Sequence, residues 1–281
     1  MRVAVASAPG TEQDVNEDAA FTGPHAAIVL DGVSEPPSSP SGGSCGASSG
    51  CAHGTPWYVH HLGSRLLDLS ADSSRSLSEA LFQAIADVAA LHRATCAPGP
   101  PWAPAATVAM IRRRGGLLDH LVLSDSSLVL DLGDTGIRVI TDTTLDDLAR
   151  THLRAALADG TPADPAALVA RLTELHRQLR NRSDGYWIAS TVPEAAHHAL
   201  TGTCRISTVH RAALLTDGAS RLVDTFRLLT WAQLLDTLQH EGPAALIAGT
   251  RTVERTDPTR TRWPRFKTHD DATVVLAEFA P

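Results

Sequence analysis

Three apolar runs of strand-like composition, far apart along the chain, each abut a turn that carries aspartate. Ala26-Ala27-Ile28-Val29-Leu30 stops at Asp31-Gly32, Ala212-Ala213-Leu214-Leu215 stops at Thr216-Asp217-Gly218, and the run from Ala272 to Ala277 starts directly after His269-Asp270-Asp271. Turns and caps recruit aspartate in any fold, so one such junction says little. Three of them, together with Asn16-Glu17-Asp18 and Ser124-Asp125-Ser126 beside further apolar runs, are harder to dismiss as ordinary turn residues.

The composition suits a folded chain with a sizeable core: 281 residues, 43% hydrophobic and 20% charged. A formal charge of −7 argues against a nucleic-acid surface that works by counterion release, so no nucleic-acid partner is expected. No apolar run approaches the ~20 residues that span a bilayer, and Met1 to Ala6 breaks too soon for a signal-peptide core, so a cytoplasmic protein without a membrane partner is expected. Cys45, Cys51, Cys96 and Cys204 are too scattered for a disulfide framework and read as reduced thiols. Lys267 is the only lysine among many arginines, and alanine is abundant, a bias expected of a GC-rich bacterial genome. No linker divides the chain, which reads as a single domain over 1–281.

Strands are expected at Arg2 to Ser7, Ala26 to Leu30, Ala106 to Ile111, Leu117 to Leu123, Leu128 to Leu132 and Ile137 to Thr141, those from Ala106 onward forming an antiparallel meander. Residues 33–54 are almost all Ser, Gly, Pro, Ala and Cys, a long loop expected to be a lid or mobile segment. Thr55-Pro56 reads as N-cap and first residue of a helix, and a second helix is expected from Ser78 to Thr95. Residues 144–180 read as helical, with a second start at Asp164-Pro165, and a further helix is expected from Thr230 to His240.

Six segments recur in a familiar order: Asn16 to Ala19, Asp31-Gly32, Ala105-Ala106-Thr107, Ser124-Asp125-Ser126, Thr216-Asp217-Gly218 and Asp270-Asp271-Ala272-Thr273. In this order they resemble the metal-dependent protein phosphatases of the PPM type, also called type 2C phosphatases, over nearly the whole chain. The resemblance implies an α+β fold, a four-layer α-β-β-α sandwich of two antiparallel sheets flanked by helices, with a flap-like helical insert at about 142–205. It implies hydrolysis of phosphate monoesters, by default phosphoserine or phosphothreonine in proteins, with two Mn²⁺ or Mg²⁺ ions and room for a third. Asp31 would bridge the ions, Glu17 and the Gly32 carbonyl would hold one, and Asp217 with Asp270 the other. Asp18 would act through water, and Asp125 with Asp217 would support the third. The physics agrees: carboxylates pushed together repel unless a cation neutralises them, and oxygen donors without His or thiolate favour Mg²⁺ or Mn²⁺. Two ions about 3.5–4 Å apart polarise a phosphoryl oxygen and activate water, so no protein nucleophile is needed.

The sequence also departs from the family. Gln13 stands where an arginine commonly grips the phosphate, and Arg65 is a conceivable substitute beside the reading of an ordinary solvated arginine. Val33-Ser34-Glu35-Pro36 lacks the histidine of animal relatives, leaving His53 as a candidate acid for the leaving oxygen, beside a structural reading. Ser124 replaces a glycine and Asp271 an asparagine. Cys45, Cys51 and His53 would bind zinc given a fourth ligand from His60 or His61, although their spacing matches no standard zinc knuckle. Trp57, Trp102, Trp187 and Trp263 read as core, rim or cleft-wall residues. Two rival functions stay open: a phosphatase of a small phosphorylated metabolite, and a non-catalytic metal-binding regulator that recognises a partner through the flap.

Overall fold

A computed structural model describes residues 1–11, 14–33, 53–94, 96, 103–158 and 165–279. The strands in chain order are β1 (Arg2–Ala8), β2 (Ala19–Thr22), β3 (Ala26–Gly32), β4 (Ala106–Arg114), β5 (Leu117–Leu123), β6 (Ser127–Asp131), β7 (Ile137–Ile140), β8 (Leu200–Arg205), β9 (Arg211–Leu215) and β10 (Ala272–Glu278). The helices are α1 (Gly54–Ser70), α2 (Leu77–Arg93), α3 (Thr144–Ala158), α4 (Pro165–Gln178), the single turn α5 (Asp217–Ser220), α6 (Trp231–His240) and α7 (Pro243–Arg255). Two five-stranded antiparallel sheets result, ordered β1-β10-β9-β6-β7 and β2-β3-β4-β5-β8.

The unbroken apolar character of β3, β4 and β10 follows from burial on both faces. In β3, Ile28 and Leu30 face the helical layer of α1 and α2, while Ala27 and Val29 face the other sheet. In β10, Val274 and Leu276 pack under α6 and α7, while Val275 and Ala277 point between the sheets. The order helix, sheet, sheet, helix is the expected four-layer sandwich. A smaller cluster of Ala105, Tyr186 and Ile188 receives Val33, Leu145, Leu148 and Leu179, which seats the insert beside the end of β3.

Register carries the acids to one end of the sandwich. Ala19 pairs with Leu30, so the residue before β2, Asp18, comes beside Asp31. Leu215 pairs with Val274 and with Ser127, so the end of β9 meets the starts of β10 and β6, the points where Asp217, Asp270 and Asp125 are attached.

Several local expectations are corrected. The meander is broken: β4 and β5 pair with each other, but Ser124-Asp125-Ser126 carries the chain into the other sheet, where β6 pairs with β7 and β9. That turn is not a hairpin because the apolar faces of β5 and β6 both need a partner sheet. Thr55 is not the N-cap of α1; His53 occupies that position, and the Thr55 hydroxyl instead donates to the Val33 carbonyl at 3.2 Å. The insert is not helical to its end, since β8 extends the second sheet from β5. The helix α7 and strands β2 and β8 were not expected, being short or weakly patterned. Most of the 33–54 loop, with Cys45 and Cys51, lies outside the described residues, as do Trp102 and Asp164.

At the far end of the second sheet, Asp119 of β5 accepts from Arg112 (3.0 Å) and Arg114 (2.9 Å) across the strand pair and from Thr203 (2.9 Å) of β8. Burial alone would raise its pKa, but these donors pull it down to about 2. Arg112 is itself buried and also donates to the carbonyls of Asp72 and Arg75, tying the sheet to the α1–α2 connection. Asp119→Ala leaves that guanidinium without its counter-charge and should cost about 3–5 kcal/mol of stability in urea denaturation.

Candidate active site

The carboxylates meet through hydrogen bonds made by their own turns. The Thr216 hydroxyl donates to Asp18 Oδ2 at 2.8 Å and accepts from the Thr273 amide at 2.9 Å, so one side chain ties the β9 end, the β10 start and the segment before β2. The Asp217 amide approaches Asp31 Oδ2 at 3.4 Å. Gly32 and Gly218 are required by close approach: a Cβ on Gly32 would overlap the Glu17 carbonyl and Thr55, and one on Gly218 would overlap the Asp271 carbonyl. Both Asp-Gly pairs at strand ends therefore have a steric reason.

Burial is the first cause of the acids' behaviour, and their mutual charge the second. Asp18 and Asp31 are raised well above the usual carboxylate range, by desolvation and then by neighbouring aspartates, Asp217 and Asp270 among them, although Thr216 lowers Asp18. Enclosure and then the charge of Asp270 push Asp217 up to about 7, with Arg221 and Lys267 opposing. Its side chain still meets solvent in the cleft, which tempers that rise. Asp125 is pushed up to about 6 by burial and by Asp146 and Asp142 at the start of the insert. Such a set, all oxygen donors and reluctant to ionise together, fits a hard divalent cation, whose charge would remove the repulsion.

Protein cations hold the cluster from one side. Asp270 accepts from Arg221 (2.9 Å) and Lys267 (2.6 Å). Arg221 also pairs with the fully buried Glu254 of α7 (2.5 Å), which further accepts from Arg251 (2.9 Å) and His269 (2.7 Å). Burial would raise Glu254, but these three partners hold its pKa below the usual value. Asp271 takes the Gly10 amide on Oδ1 (2.8 Å) and the Glu17 amide on Oδ2 (2.7 Å). Asparagine offers one acceptor oxygen, so the departure to aspartate has a use: both oxygens accept, and the Glu17 backbone is pinned.

No family model matches the sequence, and no curated protein does. Solved structures do. The serine/threonine phosphatase PstP/Ppp of Mycobacterium tuberculosis superposes with a TM-score of 0.57 at 19% identity, over 99% of this chain and 98% of that one. The PPM Ser-Thr phosphatase MsPP of Mycobacterium smegmatis, in complex with cacodylate, gives 0.55 at 16% identity over 100% and 99%. This chain has the PPM phosphatase fold. A structure of the PstP catalytic domain with two manganese ions gives 0.56 at 18% identity over 99% and 97%.

Within the PPM fold, the expected site residues sort clearly. Asp18, Asp31, Asp217 and Asp270 interact directly or electrostatically at one strand-end cluster, and Asp125 adds its charge to Asp31 and Asp217. Glu17 and Gly32 lie against each other through the Glu17 main chain. Ser124 adopts φ 66°, the left-handed backbone that favours glycine, the residue the resemblance expects at this turn. Gln13 lies outside the described residues. Arg65 pairs with Asp87 of α2 at 2.6 Å and sits ten residues, about 15 Å along α1, beyond Thr55; its guanidinium is committed to the helix groove. His53 stacks on Trp57 (centroids 4.4 Å apart) and its Nδ1 lies 3.3 Å from Cys96 Sγ. His60 packs on Phe21 and His61 on Trp57, so neither joins His53. Trp187 stacks on His198, and Trp263 packs against Phe226.

Thr216, Arg221, Glu254, Asp271 and Lys267 were not expected to support the site. Thr216 and Asp271 stood inside quoted motif segments and Lys267 as the sole lysine three residues before Asp270, whereas Arg221 and Glu254 left no such signal.

The raised acidities set a pH response. Without divalent ions the folded state keeps protons on Asp125 and Asp217 up to about 6 and about 7, whereas the unfolded chain loses them near 3.8. Their contribution to stability is therefore present below 3.8 and lost as pH rises toward 7. Melting curves in chelator should fall in temperature from pH 5 to pH 8, and saturating Mg²⁺ should flatten that slope.

Proposed function

We propose that the chain is a divergent PPM-type phosphatase, hydrolysing phosphate monoesters with Mn²⁺ or Mg²⁺, and phosphoserine or phosphothreonine in proteins by default. The observation that carries this reading is the cluster of Asp18, Asp31 and Asp217, whose raised acidities ask for a cation. The PstP catalytic domain of the same fold binds two manganese ions. Asp31, Glu17 and the Gly32 carbonyl would hold one ion, Asp217 and Asp270 another, and Asp125 with Asp217 a weaker third. Bound there, the ions supply Lewis-acid polarisation of the phosphoryl group and activation of water.

The chain's own residues do the positioning. Arg221, braced by buried Glu254, orients Asp270. Thr216 aims Asp18, and Asp271 fixes the main chain at Glu17. The insert, seated against Val33, would wall the substrate cleft next to Asp31 and is the natural place for substrate discrimination. Lys267, half-exposed and bonded to Asp270, is the cation set beside the site and the candidate for the phosphate-holding charge that Gln13 cannot carry.

Turnover of an aryl phosphate and a phosphothreonine peptide should depend on Mn²⁺ or Mg²⁺. Asp31→Asn and Asp217→Asn should each lower kcat about a hundredfold or more while the ion-free protein melts no lower than wild type. Full activity in chelator, or in either variant, overturns the assignment.

Lys267→Ala should raise KM for the aryl phosphate about tenfold with kcat largely kept, and Lys267→Arg should restore it. The contact between Lys267 and Asp270 also favours a second reading, in which a protein cation takes over part of an ion's role in a non-catalytic regulator. Mn²⁺ binding by calorimetry without turnover of either substrate would support that reading.

A further inference from the structure

A second cluster of metal-ligating side chains lies apart from the carboxylates, where the start of α1 meets the end of α2. His53 is the N-cap residue of α1, His92 lies in the last turn of α2, and Cys96 follows that helix at the i+4 position from His92. The Cys96 amide donates to the His92 carbonyl at 2.8 Å, which continues the helical course and brings the thiol to the same face as the imidazole. One ligand atom from each of the three lies within 4.8 Å of the others, and among the described residues this is the only set of three His, Cys, Asp or Glu side chains that does so.

We propose that His53, His92 and Cys96 form a binding site for Zn²⁺. Around a tetrahedral ion with bonds of about 2.3 Å to sulfur and about 2.0–2.1 Å to nitrogen, the sulfur and a nitrogen lie about 3.5 Å apart. The 3.3 Å between Cys96 Sγ and His53 Nδ1 is already close to that edge. His92 is 1% exposed, and burial with the adjacent His53 ring lowers its pKa, the direction that favours a neutral imidazole. The Trp57 indole covers both rings, with centroids 4.4 Å from His53 and 5.4 Å from His92, and gives the site an apolar wall. Imidazole and thiolate select Zn²⁺ over Mg²⁺ and Mn²⁺, so the two sites would sort ions by donor chemistry. Three protein ligands leave a fourth position for water or another donor.

Such an ion would clamp the first turn of α1 to the end of α2. That turn is the one whose Thr55 hydroxyl holds the Val33 carbonyl, two residues beyond Asp31. Zinc would thus fix the backbone that leaves β3 at the carboxylate cluster. The proposal stands whether or not the carboxylate centre is catalytic.

The test uses the full-length chain, stripped with chelator and returned to excess Mg²⁺ so that the carboxylates are supplied with their own ion. Titration with Co²⁺ should give one equivalent with near-ultraviolet thiolate charge transfer and tetrahedral visible bands, both erased by one equivalent of Zn²⁺. Cys96→Ser should abolish the charge transfer. His53→Gln, at a partly buried position, should weaken Zn²⁺ by more than the roughly 10- to 100-fold cost of losing an outer-sphere partner. Both variants should match the wild-type circular dichroism in chelator; should Cys96→Ser not fold, His53→Gln and the wild-type spectrum decide alone. Absence of thiolate absorption in the wild type, its survival in Cys96→Ser, or Zn²⁺ affinity unchanged in His53→Gln each overturns the proposal.

Discussion

Buried aspartates held within reach of one another's charge are the constraint around which this molecule is arranged. Asp18, Asp31, Asp217 and Asp270 come from strand ends in both sheets, and burial together with the neighbouring negative charges disfavours the ionised forms of Asp18, Asp31 and Asp217. Asp270 is held in place by cations that are themselves braced against the helical layer. Glu254, fully buried in α7, collects Arg221, Arg251 and His269, and Arg221 passes the constraint on to Asp270. A buried carboxylate with three donors is tolerable where an unpaired one is not, so the outer helix becomes a support for the cleft.

The departures from the family pattern fall into two physical kinds. Ser124 and Asp271 change the residue but keep the job: Ser124 accepts a left-handed backbone, and Asp271 uses both oxygens on the Gly10 and Glu17 amides. Lys267 bears on the electrostatics in another way, because it sets an ammonium 2.6 Å from Asp270, a residue proposed to hold a divalent ion. The first kind concerns geometry; the contact of Lys267 with Asp270 concerns charge at the cluster.

The helical layer of α1 and α2 does more than cover a sheet. Its buried face, with Tyr58, Leu62, Leu66, Leu81 and Ile85, packs on β3 and β4, while its ends carry polar ties: Arg112 to the α1–α2 connection at one end, and Thr55 to Val33 with the His53, His92 and Cys96 group at the other. A rigid helix pair fastened at both ends transmits placement from the sheet to the backbone beside Asp31.

Much of this was readable before any coordinates. Strand ends bearing aspartate, their order, and helix starts such as Thr230 with its capping box are local features, written in neighbouring residues. The four-layer arrangement was what the family resemblance carried by the motifs implied, and the doubly buried strands agree with it. What neighbouring residues could not contain is partnership across long stretches of chain. Asp271 meets Gly10, Arg221 meets Glu254, and His53 meets Cys96, and none of these pairs shares a periodicity or a turn that would announce it. The path from β5 into β6 was misread for the same reason, since a turn sequence does not say which sheet will bury the next apolar face. Local propensity and burial demand are encoded residue by residue, whereas the choice of partner is settled when the two sheets stack and bring distant strand ends to one place.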